Sequence, residues 1–409
     1  MIAAPNPLHP LATSRLLLKA ILLVAALLIG VSAVSFQAPE MLGRQKTMTD
    51  FDAFYVAGTL ANNGRAADAY RMETMLVAQQ QLTGTTAFMP WTYPPPFTLF
   101  VAGLASIPIG LAYMLFASLS FIFYILILRR IAGEYLPGVL IAILPTVLLI
   151  LRTGQNGFLT GGLIGFFLLA LLNRRPGAGV SLGLMVIKPH LAVAIALLTV
   201  VERRWSSIAI AAGTVAAALA MSTAVFGVAI WSAFIDGVGE SGVFLVKGYY
   251  PLFRMTSLYA MVRSTGMSAN VALAVHGIAA VVTIGLLLFL WRRRVPPVLL
   301  AAAACVASLL ISPYNYDYDL TILGVAIAFV LPRMIKMTSP AERVVLLGLC
   351  WFVTGYGLAT GIVMDLDNQD IEFGERSVTL SMIAPALLLL VGAGGFVLNR
   401  AKGPSAAAS

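Results

Sequence analysis

Uninterrupted apolar runs of membrane-crossing length decide what this chain can become. Residues 17–36 carry one charge, Lys19, and about 20 such residues cross a bilayer core as one helix. The pattern returns at 109–128, 133–151, 158–172, 207–229, 269–291, 296–311, 319–332, 343–363 and 379–398. Composition agrees. A soluble domain carries roughly 25% charged residues, whereas this chain of 409 has 11%, with 60% hydrophobic and a mean hydropathy of +0.93. Such a chain cannot cover a globular surface with polar groups, so a soluble enzyme, a disordered scaffold and a nucleic-acid-binding module are excluded. The expected fold is an all-α polytopic membrane protein of about 10–12 transmembrane helices. It forms one integral membrane domain over 1–409 in the lipid bilayer of the plasma (inner) membrane. The first run exceeds the apolar length of a signal peptide and is read as a retained span. Cys305 and Cys350 both sit in apolar runs and indicate no disulfide framework.

One stretch departs from the rule. Residues 177–201 have the length of a tilted helix, but Lys188-Pro189-His190 interrupts them. Proline breaks the helix ladder and a lysine at mid-membrane is costly. The stretch therefore reads as two short helices meeting at an apex, a device tolerated where backbone lines a cavity. With that pair the chain makes twelve passes and both termini share a side. One set of loops then holds sixteen of the 26 basic residues, among them Arg129, Arg130, Arg174, Arg175 and Arg292–Arg294, with only Glu134, Glu202 and Glu342 as acids. The positive-inside rule makes this set cytoplasmic. The outer side keeps fourteen of the 17 acids and the segments long enough to build a site: 37–96, 230–268 and 364–378. The expected active site is extracytoplasmic.

Chemistry-bearing residues gather in those outer segments. Asp50 and Asp52 follow the first span; on a helix, Asp50, Phe54 and Ala57 share a face and Asp52 points elsewhere. Thr49 or Asp50 is equally suited to cap that helix. Tyr93-Pro94-Pro95-Pro96 forms a stiff extended return, followed by an apolar stretch to Ile107 too short to span and so re-entrant or interfacial. The turn Arg152-Thr153-Gly154-Gln155-Asn156-Gly157 offers amides suited to sugar hydroxyls. Lys188 and His190, at the apex, form a cationic point suited to phosphate. Alternatively the lysine snorkels to the interface. Tyr314-Asn315-Tyr316-Asp317-Tyr318-Asp319 joins tyrosines at headgroup level with carboxylates, and Asp319 enters the next span. No GxxxxGK[ST] loop and no HExxH pair is present, and the histidines number three. No metal or other cofactor is expected.

These pieces in this order resemble glycosyltransferase family 87 of the C-type membrane glycosyltransferase superfamily. The resemblance covers about residues 15–335. It rests on TDFDAFYVAGTLANNGRAADAY, WTYPPPFTLFVAGLASIP, RTGQNGFLTGGLIGFFLLA, RRPGAGVSLGLMVIKPHLAVAIALL and SPYNYDYDL. It implies a hexosyltransferase that moves a hexose or pentose, mannose favoured, from a polyprenyl-phosphate sugar donor to a glycolipid or glycan acceptor. The family's first-loop aspartate maps onto Asp50 as base, with Asp52 the alternative. Its K-P-[QH] corner maps onto Lys188, Pro189 and His190, which with Arg152 would hold the donor phosphate. Its G-Q-N turn maps onto Gln155 and Asn156, which with Tyr93, Tyr318 and Asp319 would bind substrate. Some members carry histidine in the late motif where this chain has Tyr314-Asn315-Tyr316. The residues suit the reaction: a base for the acceptor hydroxyl and cations for the leaving phosphate. Direct displacement with inversion needs one carboxylate as base. Two other readings compete. A lipid-linked sugar or small-molecule transporter or flippase favours inverted repeats and a midplane site, and neither is evident. An assembly subunit needs no aspartate at a defined place, so substituting Asp50 separates it from an enzyme.

Overall fold

A computed structural model of the chain describes residues 9–42, 48–85, 87–175, 177–367 and 379–400. Lys402 and residues 368–378 of the last outer segment lie outside the described residues. Those described are helical without strands. They run α1 (His9–Ala12), α2 (Arg15–Leu42), α3 (Asp50–Asn62), α4 (Met72–Thr83), α5 (Pro95–Leu104), α6 (Ile109–Ala132), α7 (Leu136–Ala142), α8 (Leu144–Thr153) and α9 (Gly157–Leu172). The second half holds α10 (Ala178–Leu184), α11 (Val193–Val201), α12 (Trp205–Phe226), α13 (Ala229–Lys247), α14 (Leu258–Ser264), α15 (Ala269–Arg292), α16 (Pro297–Ile311), α17 (Thr321–Met337), α18 (Pro340–Asp367) and α19 (Ile383–Arg400). Among the described residues, eight helical stretches are long and apolar enough to cross a membrane, and six shorter apolar helices accompany them. The chain is an all-α polytopic membrane protein. Its outward helix faces are apolar, as at Val34, Ile278 and Val281, where lipid replaces water as the solvent.

Length alone misassigns one helix. α13 qualifies as a span, yet contacts along it all lie at one end of the bundle. Trp231 bonds Thr223 in the last turn of α12 at 2.8 Å, Gly237 rests on the Tyr70 backbone, and Ser241 bonds Tyr250 and Tyr314. α13 therefore lies across that end, which keeps Tyr249, Tyr250 and Arg254 beside Tyr314.

The 178–201 stretch folds as two arms. α10 ends in a 3-10 turn at Ile187, Lys188 stands outside helix at φ −144°, ψ 71°, and a second 3-10 turn leads into α11. α10 packs parallel to the start of α12, with Gly179 against Ser207 and Gly183 against Ala211 and Thr214. Since α11 ends four residues before α12 begins, both arms return to the same end and Lys188 occupies the apex opposite. The proline run divides its work: Pro94 stays extended (φ −58°, ψ 151°) and Pro95 and Pro96 form the first turn of α5, where a missing N–H costs nothing.

Candidate active site

Five segments of the chain meet around a cavity of about 510 Å³. They are the start of α3, the 88–94 segment before α5, the Lys188 apex, and the 249–254 and 312–318 connections, with α13 across the top.

Asp50 and Asp52 have different surroundings. Asp52 is fully buried, and its Oδ2 accepts from the Thr49 backbone N–H (2.9 Å) and hydroxyl (3.0 Å). This is the reciprocal cap of α3, with Thr49 as N-cap. Asp50, two positions earlier on α3, is half-buried on the cavity wall. Its Oδ1 accepts from Gln155 Nε2 at 2.9 Å, and among the described residues nothing donates to Oδ2. Gln155 is itself immobilised: its Oε1 accepts from Tyr93 Oη (3.3 Å) and the Asn156 N–H (2.9 Å). The turn that presents it is wedged in place. Gly154 closes α8 at φ +70°, where a Cβ would strike the Phe51 Cβ, and a Cβ on Gly157 would strike the Tyr318 carbonyl. Only glycine fits both.

Two buried ion pairs supply the cations. Lys188 Nζ donates to Asp319 Oδ1 at 2.9 Å, with side-chain exposures of 7% and 1%. Nζ also stands 4.5 Å from the Tyr318 ring centroid and 5.7 Å from that of Tyr93. An ammonium has three donors and Asp319 takes one. The other oxygen of Asp319 accepts from the Tyr316 N–H (3.1 Å), so one carboxylate fixes both the turn into α17 and the lysine. Arg254 makes the second pair, two parallel bonds of 3.1 Å to Asp317. Burial opposes the charge on Arg254, but the carboxylates of Asp317 and Asp50 outweigh it and raise its pKa above the ordinary arginine value. The guanidinium stays charged. The neighbouring Tyr93 phenol is pushed upward, chiefly by burial, and stays protonated.

The remaining expected residues divide. His190 lines the cavity with Nε2 buried and unpartnered, and Tyr318 lines it beside the cations. Asn156 is fully buried without facing the cavity, its side-chain amide lacking partners. Arg152 is exposed and does not line it. Arg254 and Asp317 were not singled out from the sequence. Arg254 ends an ordinary-looking PLFR stretch; an acid in DYD without an obvious partner was the available signal. Among the described residues no group of three His, Cys, Asp or Glu side chains could hold a metal ion.

A fixed carboxylate with one free oxygen, facing two held cations across an aromatic-walled cavity in a membrane protein, is an arrangement for removing a hydroxyl proton beside a departing anion. The model of glycosyltransferase family 87 matches residues 91–313. The chain belongs to glycosyltransferase family 87. Neither a curated protein nor a solved structure matches it. The matched part of this membrane glycosyltransferase includes Tyr93, Gln155, Lys188, His190 and Arg254. Asp50 and Asp317–Asp319 lie beyond it, so their place in the site rests on the hydrogen bonds above. Family membership carries with it a lipid-linked donor and a membrane setting.

Proposed function

We propose that this glycosyltransferase moves a hexose or pentose, mannose favoured, from a polyprenyl-phosphate sugar to an extracytoplasmic glycolipid or glycan, with inversion and with Asp50 as general base. The observation that carries the reading is the free Oδ2 of Asp50 in a cavity also walled by Lys188, His190 and Arg254. The acceptor oxygen attacks the anomeric carbon from the face opposite the phosphate, and its proton passes to Oδ2. The bond from that carbon to the phosphate oxygen breaks, and its electron pair leaves with polyprenyl phosphate. Lys188 and Arg254 offset the charge that grows there, and Asp317 and Asp319 hold them beforehand, so no reorganisation is needed during the reaction. Trp91, Tyr249, Tyr250 and Tyr314 give the C–H faces of a sugar ring flat apolar surfaces. Arg152 has no part in this arrangement.

Incubating membranes with radiolabelled polyprenyl-phosphate mannose, arabinose or glucose in turn tests the reading: one label should reach a chloroform-extractable or glycan acceptor. Transfer of none of them, in membranes that contain the protein, rejects it. For Arg254, Arg254→Lys keeps the charge and loses the two-pronged hold. It should raise the KM for the lipid donor about tenfold, the equivalent of one charged hydrogen bond, while kcat changes less. An unchanged KM removes Arg254 from phosphate binding.

Sidedness follows from charge, with the site end outside and both termini cytoplasmic. Cysteines placed at Asp50 and Pro189 should react with a membrane-impermeant maleimide on intact cells, and one at Arg174 only after lysis. Cys305 and Cys350 are buried, which keeps the background low. Labelling of the Arg174 position in intact cells reverses the orientation.

A further inference from the structure

A second, larger hollow lies away from the candidate active site. It is an apolar groove of about 850 Å³ lined by α15 to α19 together with α1 and α7, toward the upper end of the ~300–1,000 Å³ usual for ligand sites. Along α15 it runs from Val275 to Leu290, about 22 Å at ~1.5 Å per residue. Its two ends differ. Near the candidate site the lining is Leu258, Leu310 and Leu323, without a charged group; at the far end it is Thr338 and Arg343.

That far end is basic. Arg400 and Glu342 neutralise each other at 2.7 Å, which leaves Arg333, Lys336 and Arg343 as the excess charge at this end of α17 and α18. Arg343 donates through Nε to the Thr338 hydroxyl (2.9 Å) and through Nη2 to the carbonyls of Thr338 (2.7 Å) and Ile335. Its Nη1 is buried without a partner. A buried donor left unsatisfied is costly, and Arg343 is the charged side chain of the groove lining, where an anionic group would meet it. The groove is open at Gly394 and Gly395, both in its wall, where an added Cβ would meet no atom within 4 Å.

We infer that this groove holds an anionic diacyl phospholipid from the leaflet opposite the candidate active site. Its phosphate sits on Arg343 and its acyl chains lie along α15 and α19. Charge complementarity selects this occupant over a polyprenyl-phosphate donor, whose phosphate must reach the cations at the other end, where the groove offers none. The exclusion of the polyprenyl-phosphate donor rests on the proposed function; the groove and its basic end do not, and lipid binding is read without any transfer assay.

The full-length protein in detergent provides the test, by native mass spectrometry and thermal melting with added dioleoyl phosphatidylglycerol, dioleoyl phosphatidylcholine or a long-chain polyprenyl phosphate. Phosphatidylglycerol should bind one to one and raise the melting temperature by a few degrees, and phosphatidylcholine should do neither. Gly394→Leu fills the groove and leaves Arg343 in place, so the bound lipid and the shift should both vanish while the lipid-free melting temperature stays. Arg343→Gln should lose the preference for phosphatidylglycerol, read by mass spectrometry on whatever folded protein is recovered. Equal binding of the two phospholipids overturns the inference. So does retention of the phosphatidylglycerol shift in Gly394→Leu, or displacement of phosphatidylglycerol by polyprenyl phosphate.

Discussion

Asp50→Asn should lower turnover by at least about 100-fold with normal membrane insertion. A positioned general base contributes about 10²–10⁴ in rate, and asparagine keeps the size and the Gln155 contact but cannot accept the proton. The control is built into the same turn. Asp52 caps α3 through Thr49, so Asp52→Asn should be felt mainly in stability, on the order of 1 kcal/mol for a disturbed cap, with turnover within a few-fold of normal. The measurement is sugar transfer in membranes matched for protein content. If Asp52→Asn is dead and Asp50→Asn is active, the base is Asp52 and the capping geometry is secondary. If both are active, neither is the base.

The Lys188–Asp319 pair should respond in two separable ways. Lys188→Ala leaves the Asp319 carboxylate buried with, among the described residues, the Tyr316 N–H for compensation. Breaking a buried pair typically costs about 3–5 kcal/mol, a large part of a total stability of about 5–15 kcal/mol, so the melting temperature in detergent should fall sharply. Combining Lys188→Met with Asp319→Asn removes both charges and keeps the volumes, and should restore most of the melting temperature. Turnover should stay low, because the donor phosphate has lost a cation. Recovery of turnover in the double variant makes the pair structural only. A single Lys188→Ala with unchanged stability and unchanged donor KM supports a lysine that merely reaches for the interface.

The candidate site was legible from sequence in some parts and hidden in others. Lys188 drew attention because a charge beside proline inside an apolar run has a high cost in lipid, and it lies at the apex of two helix arms. Gln155 was visible because glycines bracket it, and both glycines face backbone or side-chain atoms that exclude a Cβ. Which of two aspartates faces the cavity was left open between capping and catalysis. Two positions on α3 separate them, and the choice depends on Thr49 and Gln155, the second 105 positions from Asp50. Arg254 carried no local signal, since its meaning comes from Asp317, 63 residues on. Arg152, a cation in a suggestive motif, looked equivalent to Lys188 and is exposed instead.

Apolar run length and composition set the solvent and the class of this chain. Apolar runs near 20 residues and 11% charge leave the chain no stable state outside a bilayer, and in lipid the backbone must satisfy itself as helices. Periodicity and local cost also locate the breaks, because proline, glycine and intramembrane lysine act within a few residues of where they stand. The outer placement of 230–268 was already in the sequence; tertiary structure alone decided that α13 covers the cavity, that Asp317 and Asp319 each hold a cation, and that Asp50 keeps one oxygen free. The reason is one of range. Burial and helix propensity are summed over neighbours in the chain, whereas an ion pair or a hydrogen bond is made at about 3 Å between residues that only the fold brings together.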